Sequence, residues 1–265
     1  MRHLHGIADI QPDQFNRCPR TVCDYVNQSI LPGARRRLLP VAPKLRPRKR
    51  KGTVHKVDQK CRLGRSYEEF CLLREENPAM GFVEMDSVEG RRGGNVLLTL
   101  QFNPCALMLA FVRERNTSQS VIDVFDCLES LWGTETFRRL FPVILTDNGT
   151  EFSNPDRLET SPFIGERRTR IFYCHPYSSS EKPHVENNHR ILRAIFPKGR
   201  DIPLVDEKVM GRTLSHLNSK LRESFGDVPA IVKFERLHGR GILEKLHVGL
   251  VPATEVTLTP EVLNP

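Results

Sequence analysis

A chain of 265 residues, 38% of them hydrophobic, is long enough for one sizeable core with appendages, or for two domains. No apolar run approaches a membrane span and the N-terminus carries no signal-peptide pattern, so a membrane role is excluded and a soluble, cytoplasmic protein is expected. The formal net charge is +8, and the seven cysteines (18, 23, 61, 71, 105, 127 and 174) lack CxxC pairing, so free thiols are expected in place of zinc or a disulfide framework.

The first 14 residues carry little periodic signal. Residues 20–28 read as a short helix with Val22, Tyr25 and Val26 on one face. Residues 33–65 then hold thirteen Lys or Arg against a single acid, Asp58, a net of +12 that leaves the remaining chain at −4. Arg35, Arg36 and Arg37, then Arg48, Lys49, Arg50 and Lys51, are its densest runs, and Pro40, Pro43 and Pro47 favour an extended arm. Such an arm either lies along phosphates, gaining affinity by counterion release, or is a solvated linker.

Residues 66–78 read as a helix: Ser66 caps it, Glu69 completes a capping box, and Pro78 follows its end. Tyr67, Phe70, Leu73 and Arg74 form its packing stripe. Strand patterns over 81–86, 95–102 and 106–113 are separated by Gly93-Gly94 and Asn103-Pro104. A helix beginning at Thr117 or Ser118 and ending at Gly133 buries Val121, Phe125, Leu128 and Trp132. Residues 143–146 are a short buried strand that delivers Asp147 to an Asn148-Gly149 turn. Residues 154–168 are polar, with Pro155, Pro162 and Gly165, and read as a loop. A strand over 169–174 precedes an amphipathic helix with Val185, Leu192, Ile195 and Phe196 on its apolar stripe. Farther on, Met210, Leu214, Leu217 and Leu221 fall at helical spacing, 229–237 form a short helix ending at Gly239, and the tail from 254 is extended.

Three acids stand out. Asp86 and Asp147 each follow an apolar segment and precede a turn, and Glu186 lies near the start of the amphipathic helix. Taken singly, each has a plain structural reading: an Asx-turn for the aspartates, an exposed i,i+4 pair with Arg190 for Glu186. Taken together, they form an all-oxygen set suited to Mg²⁺ or Mn²⁺, and two such ions roughly 4 Å apart clamp both oxygens of an in-line phosphoryl displacement. His189, Arg190 and Arg193 share the helix face of Glu186, which makes Arg190 and Arg193 candidates to grip a DNA strand. His184, His189 and Asn148 are candidate orienting groups, or local caps.

The segments Val83-Glu84-Met85-Asp86-Ser87-Val88-Glu89-Gly90, Asn116-Thr117-Ser118-Gln119-Ser120, Leu145-Thr146-Asp147-Asn148-Gly149 with Glu151-Phe152, Val185-Glu186-Asn187-Asn188 and Phe196-Pro197-Lys198-Gly199 resemble a DDE transposase of the insertion-sequence-thirty family, within the retroviral integrase-like superfamily. The resemblance runs over about residues 20–260. It implies an α/β, RNase H-like catalytic core (a mixed five-stranded sheet with flanking helices), which the element order also suggests. It further implies that Asp86, Asp147 and Glu186 are the catalytic, metal-holding carboxylates for Mg²⁺ (or Mn²⁺). The implied partners are double-stranded DNA, namely the element's terminal inverted repeats and the target, with a homo-oligomer assembled on it. The expected organisation is a partial helix-turn-helix-like segment (1–32), a basic arm (33–65), the catalytic core (66–205) and a C-terminal helical extension with tail (206–265). Two departures bear on activity: Pro183 stands where the family carries Gly, and the 154–168 stretch lengthens the Asp147-to-Glu186 interval. Glu181 lies nearer the family's interval, but the local motif favours Glu186. A nuclease of the same fold and a non-enzymatic DNA-binding relative remain the alternatives.

Overall fold

In the computed structural model of the protein, the described residues are 24, 25, 28, 59–103, 105–176, 178, 181–222 and 225–264; the side chains of residues 59, 183, 184, 186 and 187 stand outside the description. The chain divides into two units, 1–56 and 57–265. In the first, the Gln28 amide donates to the Asp24 carbonyl at 2.9 Å, one helical turn within the helix expected over 20–28. The rest of that helix and the arm residues Arg35, Arg36, Arg37, Arg48, Lys49, Arg50 and Lys51 lie outside the described residues.

The second unit is built on a sheet of five strands: β1 (Phe82–Glu89), β2 (Val96–Asn103), β3 (Leu107–Arg113), β4 (Ile144–Thr146) and β5 (Ile171–Tyr173), in the order β3-β2-β1-β4-β5. The first three form an antiparallel meander, while β4 runs parallel to both β1 and β5. A meander continued by two parallel strands through helical crossovers is the RNase H-like arrangement. Parallel pairing buries both faces, which is why β4 and β5 are buried throughout and apolar apart from the Thr146 and Tyr173 hydroxyls.

Helices α1 (Tyr67–Glu76), α2 (Ser118–Trp132), α3 (Thr134–Leu140), α4 (Pro155–Glu159), α5 (Pro183–Ile195), α6 (Glu207–Ser219), α7 (Ala230–His238) and the single turn α8 (Gly241–Glu244) complete the unit. Ser66 and Glu69 close the expected capping box of α1, and Phe70 is its buried anchor against Val143, Leu145 and Phe172. The α2 stripe of Val121, Phe125, Leu128 and Trp132 is buried as expected, and Phe141 stacks on Phe137 with ring centroids 4.6 Å apart. Asn218 of α6 bonds both the amide and the carbonyl of Met108 at 2.9 and 2.8 Å, which closes the outer edge of β3. None of the helices among the described residues is long and apolar enough to cross a membrane.

Four expectations change. Residues 154–168 are not a plain loop: Asn154 caps α4 with Pro155 at its first position, and the stretch ends in the fully buried Arg168. The Arg168 guanidinium donates to Glu129 at 2.9 Å, and Asp126 Oδ1 lies 2.6 Å from the same nitrogen without hydrogen-bond geometry. Leu221 lies beyond α6, which stops at Ser219, and is exposed. The tail is not extended throughout; it includes 3-10 turns at Ala253–Glu255 and Pro260–Leu263, and Val262 is buried. Lastly, Asp86 is not at a strand end, because β1 continues to Glu89.

Candidate active site

Met85 of β1 pairs with Thr146 of β4, so Asp86 and Asp147 are the next residues on two neighbouring parallel strands. There β4 stops while β1 continues against β2 alone. The two aspartates therefore sit where the parallel pairing ends, at the carboxyl rim where ligands bind open α/β sheets. Asp86 faces the same side of the sheet as Glu84, two residues before it.

Each aspartate gives one oxygen to the backbone. Ser87 N donates to Asp86 Oδ1 at 2.8 Å, and Gly149 N donates to Asp147 Oδ1 at 2.9 Å, the latter an Asx-turn. A Cβ at Gly149 would come within 2.5 Å of Glu151 Oε2, so a larger residue there would push that carboxylate aside. The two remaining oxygens face a common cation: Lys182 Nζ lies 3.6 Å from Asp86 Oδ2 and 3.9 Å from Asp147 Oδ2, and donates to the Met85 carbonyl at 3.2 Å. The Asp86 side chain is 21% exposed and that of Asp147 48%, so only the first is strongly desolvated. Burial pushes the Asp86 carboxyl up to about 6; Lys182 opposes that rise and the charge of Asp147 adds to it.

Glu186 is the fourth residue of α5, which Pro183 opens as expected. Its side chain lies outside the described residues, as do those of His184 and Asn187, but the helix is fixed on both sides of it. The buried Glu84 carboxylate accepts the Val185 amide at 2.8 Å and the Asn103 side-chain amide at 3.2 Å. Three residues past Glu186 and on the same helix face, His189 brings Nδ1 to 3.8 Å from Asp86 Oδ2. That contact is no ion pair at neutral pH, because burial, helped by Lys182 and Arg193, lowers His189 to about 4. The Thr99 hydroxyl donates to the Asp86 carbonyl at 3.1 Å and meets His189 Nε2 at 2.8 Å. That network assigns the imidazole proton to Nε2 and leaves the Nδ1 lone pair facing Asp86. Among the described residues no three His, Cys, Asp or Glu side chains converge as a metal-holding group.

Glu181 is placed differently. Its carboxylate accepts the His175 amide and the His175 ring nitrogen Nδ1, both at 2.8 Å. It closes its own turn. Asn148, a candidate orienting group, also has a structural job: its side-chain amide donates to the Cys174 carbonyl at 2.6 Å, and its backbone carbonyl accepts from the Arg62 side chain at 3.1 Å.

Beyond Asp86 opens a cleft of about 450 Å³, lined by Ser87, Glu89, Asn116 and Glu151 together with Arg92, Arg193 and Lys198. Arg193 is anchored at 2.7 Å on the Glu89 carbonyl, whereas Arg190 is exposed and makes no ion pair among the described residues. The buried Arg113 braces Ser87 and Asn116 in this lining, donating to Ser87 at 2.8 Å, Asn116 at 3.0 Å and Ser120 at 2.9 Å, while Asn116 donates to Glu151 at 3.2 Å.

Sequence reasoning missed Lys182 and Glu84. Strand alternation gives a signal for Glu84, an acid two positions before Asp86 and set between the buried Val83 and Met85. Lys182, the residue before the helix-opening proline, gives none, because its partners are 96 and 35 positions away in the chain.

The chain is 26% identical over 157 residues to the transposase for insertion sequence element IS4351 of Bacteroides fragilis, covering 59% of this chain and 45% of that protein. It is 25% identical over 221 residues to the probable transposase for insertion-like sequence element IS1161 of Streptococcus salivarius, covering 82% of this chain and 58% of that protein. The chain thus spans about half the length of these curated relatives. Among solved structures, the catalytic core domain of BIV integrase matches with 15% identity and a TM-score of 0.37, over 59% of this chain and 94% of that one. No family model matches. By sequence, the chain is a relative of transposases.

Proposed function

We propose that the protein is a DDE-type transposase of the insertion-sequence-thirty kind, cutting and joining DNA strands at the terminal inverted repeats of an insertion sequence with Mg²⁺ or Mn²⁺. The observation that carries the reading is the division of labour at the two aspartates. Oδ1 of each is fixed by a backbone amide, and Oδ2 of each faces one common cation. Hard oxygen donors held this way suit Mg²⁺ or Mn²⁺ and not zinc, and Asp86, Asp147 and Glu186 would hold the ions. When bound, the metal would supply activation of a water or a DNA 3′-hydroxyl and stabilisation of the leaving oxygen.

The protein's own residues then orient and exclude. Glu84 fixes the start of α5 through the Val185 amide, one residue before Glu186. Neutral His189 holds Thr99, and through it the Asp86 backbone, without adding charge beside the carboxylates. Arg92, Arg193 and Lys198 line the cleft next to Ser87, where a strand leaving the scissile phosphate would run, and Arg190 extends that basic face. The arm of Arg35–Arg37 and Arg48–Lys51 would add affinity without regard to sequence. With little covalent chemistry for the enzyme to perform, positioning and electrostatics carry the rate. Assembly of two or more copies on paired DNA ends in the cytoplasm completes the reading.

The test uses DNA carrying the element's ends. Asp86→Asn and Asp147→Asn should each abolish cleavage while leaving DNA binding in place, and a pre-cut end should be joined to target DNA. Cutting in EDTA, or undiminished cutting by either variant, overturns the metal reading. Cleavage without joining points to a nuclease of the same fold, and binding without cleavage to a DNA-binding relative.

A further inference from the structure

We propose that Lys182 is a displaceable counter-ion, whose ammonium holds the Asp86–Asp147 pair in the cation-free protein and gives up its place when a divalent cation enters. The inference rests on the metal reading of these two aspartates and adds the residue that opposes loading.

The geometry is specific. Lys182 is buried, and among the described residues its ammonium makes one hydrogen bond, to the Met85 carbonyl. Its 3.6 and 3.9 Å separations from the two Oδ2 atoms are longer than hydrogen bonds, so it lies between the carboxylates without being bonded to either. Asp86 and Asp147 would hold a divalent cation through the oxygens that now face Lys182. A dication and an ammonium a few ångströms apart in a partly buried site repel strongly. One must leave.

The residue is built to be the one that leaves. Lysine carries a compact charge on a flexible stem, unlike the planar fork of arginine. Lys182 is the N-cap position of α5, yet its side chain makes no capping hydrogen bond, so withdrawal breaks nothing in the helix. The neighbouring turn is secured by Glu181 on His175, and the helix start by Glu84 on Val185. Both anchors are independent of the lysine, so the ammonium can swing while position 186 keeps its height. A DNA phosphate at the rim is a natural acceptor for the displaced charge, which would make cation loading tighter on DNA than off it.

The experiment measures Mn²⁺ binding by calorimetry on the full chain without DNA. Lys182→Met, or Lys182→Gln should the first fold poorly, is expected to bind Mn²⁺ about tenfold or more tighter than wild type. In the wild type, acetylation of Lys182 mapped by mass spectrometry should rise about tenfold at saturating Mn²⁺, while the other lysines hold steady. Equal or weaker Mn²⁺ affinity in both variants, or an unchanged Lys182 reactivity, overturns the proposal alone. Mn²⁺ binding that Asp147→Asn leaves untouched, or none in wild type and variants alike, overturns the metal reading and this proposal together.

Discussion

The Glu84 carboxylate accepts the Val185 amide at 2.8 Å, tying the strand two residues before Asp86 to the helix one residue before Glu186. One buried acid thus sets the distance between two of the three proposed catalytic positions. It also satisfies an N–H that the first turn of any helix leaves without a partner, with the favourable sign for a helix N-terminus. Glu84→Ala should destabilise the fold by about 1–3 kcal/mol, the cost of orphaning a buried donor, and lower cleavage by more than it lowers DNA binding. Urea unfolding and a cleavage assay read the two effects. Cleavage that tracks stability alone, with no added deficit at full folding, would mean that the link does not position the site.

The two glutamates near the start of α5 can be told apart by chemistry. Glu181 is consumed by the amide and ring of His175, whereas position 186 shares the helix face of His189, which reaches Asp86. Glu186→Gln is expected to lower strand joining by orders of magnitude, and Glu181→Gln only modestly. A pre-cut DNA end in Mg²⁺ is the substrate to use. The reverse ranking would show that the helix is misaligned with the family motif.

The parts of this fold that can be read from the chain are those with local causes. The capping box of Ser66 with Glu69 starts α1 in the expected place, and Thr117 with Ser120 does the same for α2. Asp147 followed by Asn148-Gly149 marks the end of β4 because an Asx-turn is a three-residue event. Asp86 mimics a strand end for a different reason: the break there is the loss of β4 as a neighbour, a property of pairing and not of residues 81–90. The helix α4 is hidden in the sequence since Asn154-Pro155 reads equally as a turn. Lys182 is invisible there because no local pattern tells a lysine that reaches into a site from one that reaches into water.

Arg168 shows what the 154–168 stretch contributes. Its side chain and that of Glu129 are both fully buried, and they pair at 2.9 Å. Removing one partner leaves the other charge stranded, so Arg168→Met should cost about 3–5 kcal/mol in urea unfolding. Arg168→Met combined with Glu129→Leu should recover a large part of that loss. Equal loss in the single and double variants would show that the guanidinium matters through its bonds to the Leu158 and Arg157 carbonyls instead.

The arm is tested by salt. Neutralising Arg35, Arg36, Arg37, Arg48, Lys49, Arg50 and Lys51 should weaken binding to all DNA sequences alike. The slope of log K against log salt should become shallower by about 0.9 for each phosphate that the arm no longer neutralises. An unchanged slope would make the arm a solvated linker.

His175 gives the fold a pH dependence that can be signed in advance. Its ring lies 2.8 Å from Glu181 on one side and 2.8 Å from Glu68 of α1 on the other. The bond to Glu181, then the charge of Glu68, raises its pKa above the ordinary histidine value. A raised folded-state value means that the protonated ring binds its partners better in the folded than in the unfolded chain. Its contribution is therefore full below about pH 6.5, as long as the carboxylates stay ionised, and is lost as pH rises through the folded value. The ring is half exposed, so the effect is small and screened by salt. Thermal unfolding of wild type and His175→Gln should differ most near pH 6 and converge near pH 9, and added salt should shrink the gap at pH 6. A gap that is constant across this range would mean that the ring acts by packing on Tyr67, whose centroid is 5.9 Å away, and not by charge.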